Sequence, residues 1–364
     1  MKFCNTMHLD DPCMRRQPPE ARNYFLACYA VSLVQGHTIK GTYIKYTTVL
    51  QYMKQAYAVF EKRGIEFDSS LNYASIILNA IKDYEDVPNR RRMITDSMME
   101  WLTDKASKSS QDSAVRAIVD WIILGRYTGF RSSESFQTTQ SSYSRIDDWP
   151  EGPSLAMTRN DFHFLDGSER HLASDSILRS ELISFIAIIW RHQKNKDHGQ
   201  DIVFAGDKEN PDYSPTDAGL RICQQSQQLG MEEHEPMGVY KHESGKTKFI
   251  TGKLVTKLIR AAACGALGLK KEDPIVSQWS THSIRVTAAN LLHRQNLSNS
   301  YIMKRLRWKS DAFLCYLRNT IHAAEAHTKA INIQLSDKDK HKASYRQLEL
   351  RERISQGIPH AAAA

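Results

Sequence analysis

The 364 residues leave room for two ordinary domains, and 49 Lys and Arg against 41 Asp and Glu give a formal charge of +8 and a pI of about 9.0, a balance that suits a polyanionic partner. The six cysteines, Cys4, Cys13, Cys28, Cys223, Cys264 and Cys315, form no C-x-x-C pair and no metal-ligand spacing. The longest apolar run near the N-terminus, Tyr24 to Val34, is too short for a bilayer and lacks a cleavage pattern, so the expectation is a soluble intracellular protein with free thiols and no membrane contact.

Residues 1–18 mix Pro, Met and charge without periodicity and read as a flexible arm, with Arg15 and Arg16 within reach of a backbone phosphate. Pro19 suits a helix start, and the mostly apolar run after it closes on Gly36. Tyr46, Val49, Leu50, Met53, Tyr57 and Phe60 recur at spacings of three and four, with Thr42 as an N-cap and Gly64 as a stop. A third helix is expected in NYASIILNAIKDYED, ended near Pro88, and a fourth in MITDSMMEWLTDKA. Between these two stands a basic cluster, Arg90, Arg91 and Arg92, which reads either as a solvated loop or as a phosphate contact. Together the four helices make an all-α domain over 19–106, followed by the polar linker 107–112, SKSSQD in its surroundings.

The second domain, 113–328, opens with the amphipathic helix SAVRAIVDWIILGRYTGF, which ends at Gly129 and delivers Arg131 just beyond it. SLAMT and DFHFL are strand-like. LISFIAIIW and DIVFAG flank the polar turn RHQKNKDHG as a β-hairpin with Lys194 and Lys196 at its tip. Ser214 and Pro215 start the next helix, Glu232 to Lys248 reads as a loop, and Thr251 starts another helix in KLVTKLIRAAACGALG. The fold class is therefore mainly α with a small β-sheet, an all-α N-terminal domain followed by an α+β domain.

The densest chemistry lies in Ser280 to Thr320. His282 and Arg285 are three apart at the start of a helix capped near Ser280 or Thr281, and so point to one face. Ser298 caps YIMKRLRW, Ser310 caps DAFLCYLRN, and Trp308 and Tyr316 lie on consecutive short elements. A lone H-x-x-R pair says little, and Trp308 and Tyr316 taken singly are ordinary core aromatics. The joint order carries the signal: an Arg after a helix-ending Gly, a hairpin Lys, then H-x-x-R, Trp and Tyr.

In that order the chain resembles the tyrosine recombinases, or phage-integrase superfamily. TGFRSSES is similar to the family's first arginine box, THSIR to its H-x-x-R box, RHQKN to the place of its catalytic lysine, and LRWKSDAFLCY to its final Trp/His-then-Tyr box. The Trp-to-Tyr form of that last box resembles the Crypton-type recombinases of eukaryotic mobile elements; the step from Trp308 to Tyr316 is one residue shorter than the family's commoner step, a departure that the Crypton-like form tolerates. The resemblance spans residues 21 to about 328 and implies a core-binding domain that clamps DNA, followed by a catalytic domain.

It further implies Tyr316 as nucleophile, with Arg131, His282, Arg285 and Trp308 around the scissile phosphate. Lys194, in preference to Lys196, would protonate the leaving 5′ oxygen, and Glu134 would brace the site from behind. Arg90, Arg91, Arg92 and Lys196 are expected on the DNA backbone. No metal or other cofactor is called for, since arginines fork onto the non-bridging oxygens with paired charge-assisted bonds. A phenol of pKa near ~10 leaves more readily than an alkoxide, so the phosphotyrosyl bond stays reversible. The implied partners are double-stranded DNA and further copies of the chain in a homotetramer on paired sites, with a nuclear location in a eukaryote; the 329–364 tail reads either as packing on a neighbour or as a solvated C-terminal helix. Two other functions share the pattern: a type IB topoisomerase, and a domesticated DNA-binding protein of the same fold.

Overall fold

The structure is a computed structural model, which describes residues 4, 7–8, 10–37, 41, 43–67, 73–84, 90–136, 156–172, 180–191, 198–310, 313–314 and 317. The chain divides into two compact units, Met1–Asn89 and Arg90–Ala364. Tyr316, Lys194, Lys196 and the 329–364 tail lie outside the described residues.

The first unit is all-α among its described residues: α1 Pro19–Val34, α2 Tyr46–Glu61 and α3 Tyr73–Asp83. Pro19 opens α1 because its missing N–H would be unbonded in the first turn anyway, and Gly36 follows at φ +84°. The periodic residues Val49, Met53 and Phe60 of α2 turn inward onto Leu26, Ala30 and Leu33 of α1 and onto Ala74 and Leu78 of α3. Lys45 occupies the N-cap position of α2 without a side-chain cap bond, and Thr42 lies outside the described residues.

Residues 10–18, expected as part of a flexible arm, are instead tied to this core. Cys13 and Met14 are 5% and 4% exposed. Arg22 donates to the Met14 and Arg15 carbonyls, and the Asp11 carboxylate accepts from Arg15 and from the Cys13 N–H. Two apolar side chains suffice to pull a charged, aperiodic segment onto the helices.

Among its described residues the second unit is mainly α with two small antiparallel sheets. Its helices are α4 Asp96–Ser107, α5 Ala114–Thr128, α6 Pro215–Gln228, α7 Gly252–Leu267, α8 His282–Arg294 and α9 Asn299–Arg305. Five of these six start at a small hydroxyl residue that caps them: Thr95, Ser113, Ser214, Thr251 and Ser298 accept first-turn N–H bonds at the heads of α4, α5, α6, α7 and α9. The three-stranded sheet runs β1 Phe162–Leu165, β2 Phe185–Trp190, β3 Gln200–Ala205 in that order, all antiparallel. Its register pairs Phe164 with Ile186 and Ile186 with Phe204, which places these three side chains on the buried face against α6.

Three features depart from the sequence expectation. The fourth helix, α4, sits in the second unit: Met98, Met99 and Leu102 are fully buried with residues of α5 and α7, so 107–112 joins two helices of one unit. Of SLAMT, Thr158 makes only an isolated bridge to Pro236, and the strand begins at Phe162. The 232–248 segment, expected as a loop, holds the hairpin β4 Val239–Lys241 and β5 Thr247–Phe249. Met237 and Val239 are each 1% exposed, and burying them pins a stretch whose Lys, His and Gly content carries no strand signal.

Candidate active site

Five of the residues singled out in the sequence converge where α5, α8 and α9 meet. His282 and Arg285 occupy the first turn of α8, whose entry is fixed by two bonds: Ser280 Oγ accepts from the His282 N–H (3.3 Å), and Ser283 Oγ accepts from the Ser280 N–H (3.1 Å). Because α8 packs on α5, Arg285 reaches the end of α5 and donates from Nη1 to the Gly129 carbonyl (2.7 Å). Its Nη2 donates to the Leu306 carbonyl (3.0 Å) just past α9. The guanidinium carbon lies 4.1 Å from the centre of the Trp308 ring, a cation–π contact, and the residue is 3% exposed.

Gly129 makes this meeting possible. It ends α5 in the left-handed conformation at φ +54°, and a Cβ there would come within 2.9 Å of the Leu306 Cδ2. The chain then passes through Phe130 to Arg131, which caps the single helical turn Ser132–Ser135. Glu134 accepts from the Arg131 main-chain N–H (2.8 Å) and from Arg131 Nη1 (2.6 Å). Arg131 is thereby aimed by a carboxylate that is itself 5% exposed.

A sixth residue, Arg307, was not foreseen. It is 4% exposed and sits at φ +57°, a backbone region that residues with a Cβ seldom enter. Its Nη2 donates to Glu134 Oε2 (2.9 Å), its Nη1 to the Thr128 carbonyl (3.2 Å), and its guanidinium carbon stacks 3.8 Å from the centre of the Trp190 ring. In sequence it is one more basic residue in KRLRW, and the only local hint is its position beside Trp308.

The electrostatics follow from burial. Burial opposes charge on Glu134, but the neighbouring Arg307 charge and the bonds from Arg131 outweigh it and hold the carboxyl below its usual range. Burial pushes Arg307 down to about 10, with Glu134 pulling the other way, so the pair is ionised at neutral pH. Burial, then the charges of Arg285 and Arg91, push His282 down to about 4, which leaves a neutral imidazole at pH 7. Among the described residues of this knot three guanidinium charges face one carboxylate, an excess that fits an anion.

Arg91 and Arg92 brace the approach to His282. Arg91 Nη1 donates to the Ser277 carbonyl (2.6 Å), and Arg92 Nε to Gln278 Oε1 (2.7 Å), while Arg90 is exposed. Trp308 spends its ring on Arg285 and lies 6.2 Å from Phe313 centre to centre. Beside this approach runs a groove of ≈ 910 Å³ lined in part by Lys253, Lys257, Arg260 and Lys271 of α7 and the following loop, with Thr281 at its edge.

No family model matches the chain, and no curated protein matches it. Among solved structures it is similar to the Tn1549 transposon integrase in complex with transposon right end DNA, at 11% identity and TM-score 0.47, covering 90% of this chain and 91% of that one. A lambda integrase dimer bound to a COC′ core site matches at 13% identity and TM-score 0.42, covering 87% of each chain. The XerH site-specific recombinase bound to difH substrate, a pre-cleavage complex, matches at 13% and 0.36, covering 89% of this chain and 76% of that one.

Proposed function

We propose that this protein cleaves and rejoins DNA strands through a 3′-phosphotyrosyl intermediate, as a site-specific recombinase or integrase. The observation that carries the reading is the convergence of Arg131, Arg285 and neutral His282 on one junction, with Glu134 as the single carboxylate among the described residues there. The motif order that supplies Tyr316 and the hairpin lysines supports it from sequence.

In this mechanism the Tyr316 phenolic oxygen attacks the scissile phosphorus and the bond from phosphorus to the 5′ oxygen breaks. The leaving oxygen takes its proton from Lys194, and the phenolic proton passes to the neutral His282 ring, whose pKa of about 4 the negative charge of a bound phosphate would raise toward the working range. Arg131 and Arg285 donate to the two non-bridging oxygens as charge grows on them; losing either donor set should raise the barrier by about 3 to 4 kcal/mol. A 5′ hydroxyl of a partner strand then reverses the step. Glu134 never touches the phosphate and acts by fixing Arg131.

Lys253 and Lys257 on α7 would hold phosphates flanking the reacting one, with Arg90 and Lys196 as further backbone contacts, and the N-terminal helical unit would add its own grip on the duplex. The Trp-to-Tyr form of the last box, Trp308 followed by Tyr316, supports a Crypton-like form. Strand exchange between two sites calls for a tetramer, with the C-terminal tail joining protomers.

The test is covalent trapping. Incubated with nicked duplexes of randomised central sequence, the protein should give an adduct that survives denaturation, and Tyr316→Phe should give none. A protein that binds these duplexes without any adduct would be a binding module of the same fold. Relaxation of supercoils with no strand exchange would make it a topoisomerase.

A further inference from the structure

We infer that Arg307 is a positioning residue for the cleavage reaction, coupling the segment that leads to the tyrosine with the two arginines that activate the phosphate. The inference deepens the function proposed above and rests on it. What points to it is the tripeptide Leu306-Arg307-Trp308, which touches each arm of the site with a different atom. The Leu306 carbonyl accepts from Arg285 (3.0 Å) and the Trp308 ring covers the same guanidinium (4.1 Å). The Arg307 side chain between them turns the other way, to Glu134 (2.9 Å) and the Thr128 carbonyl (3.2 Å). Glu134 in turn aims Arg131.

That division of labour requires the backbone of residue 307 to reverse, and it does so at φ +57°. A β-carbon is unwelcome there, and glycine or asparagine would sit more easily. An arginine held in this conformation, 4% exposed, with its charge stacked 3.8 Å from the Trp190 ring, is expensive locally and is retained for what its side chain reaches. What sets it apart from Arg285 as a phosphate ligand is its ion pair with Glu134, which neutralises its charge; the terminal nitrogens of Arg285 meet the neutral carbonyls of Gly129 and Leu306 and can exchange them for phosphate oxygens.

A consequence separates positioning from mere packing. With Arg307 in place, Glu134 is held ionised by two guanidinium groups, so its titration lies below the working range of pH. With Arg307 removed, burial acts on a carboxylate that keeps only Arg131, and its pKa rises. A protonated Glu134 loses the charge that aims Arg131, so cleavage should acquire an acid limb that the native protein lacks.

The experiment measures single-turnover adduct formation on the randomised nicked duplexes from pH 5 to 8, alongside duplex affinity and thermal melting. Arg307→Gly should bind these duplexes within about threefold of the native protein yet cleave slower by on the order of a hundredfold, the scale of a misplacement of about 1 Å. Its rate should fall further below neutral pH, and the added change Glu134→Gln should abolish that acid limb. Where Arg307→Gly does not melt cooperatively, Arg307→Lys serves in its place; it keeps the charge and the stem over Trp190 but loses the fork, and should show the same limb in weaker form. A native-like rate in the Arg307 variant, or a loss uniform across pH and unaffected by Glu134→Gln, overturns the inference while leaving the tyrosine chemistry intact. Absence of any adduct from the native protein overturns that chemistry and this inference together.

Discussion

Burial keeps the His282 ring neutral down to about pH 4, whereas an exposed histidine takes up its proton near 6.5. The folded value is the lower of the two, so the stability linked to this ring is fully present above 6.5 and is lost as pH falls from there to about 4, where the unfolded chain binds a proton that the folded one refuses. The size of the effect is on the order of 3 kcal/mol. Urea unfolding at pH 7 and pH 4.5 should therefore show a larger acid loss in the native protein than in His282→Gln; equal losses would place the sensitivity elsewhere. At the same scale, the sequence showed which residue types belong together but not their wiring. Arg131, Glu134, His282 and Arg285 could be named because each stands in a short recognisable pattern. Arg307 stands in none, and its partner Glu134 is 173 positions away.

Helices α5 and α8 set the distance between the first arginine and the H-x-x-R pair. They approach closely at Gly125, where an added Cβ would fall 2.4 Å from the Ile284 Cγ2 and 3.0 Å from the Phe130 ring. Neither neighbour can retreat, since Ile284 and Phe130 are 0% and 2% exposed. Gly125→Ala should accordingly destabilise by about 1 to 3 kcal/mol through overpacking, despite the better helix propensity of alanine. Thermal unfolding read by circular dichroism checks this, and a raised melting temperature would show that the crossing is looser than described. Helix starts were legible in the sequence because a cap is a local event: Thr251 and Ser298 each bond an N–H three residues on. The β4–β5 hairpin was not, because its strands are three residues long and what holds them is the burial of Val239 against other elements.

At the scale of the molecule, the division between the units decides which fragment can stand alone. A piece starting at Arg90 keeps α4 and so keeps Met98, Met99 and Leu102 in the core of the second unit. A piece starting at Ser107, as the polar linker suggests, removes three side chains each worth about 1.5 to 3 kcal/mol of burial. Residues 90–364 should melt cooperatively and residues 107–364 should not; cooperative melting of the shorter piece would return the boundary to the linker. Among the described residues no helix is long and apolar enough to cross a membrane.

By itself the sequence determined the kinds of element and nearly all their order, since periodicity, caps and stop signals act within a few residues. It also named Arg131, Glu134, His282, Arg285 and Trp308 as candidates to be brought together. Only the tertiary structure decided that α4 belongs with α5 and α7, that Arg285 bonds the carbonyls of Gly129 and Leu306, and that Arg307 shares Glu134 with Arg131. The reason is one of range: a carboxylate selects between guanidinium partners over a few ångströms, and which partners come that close depends on how the helices pack.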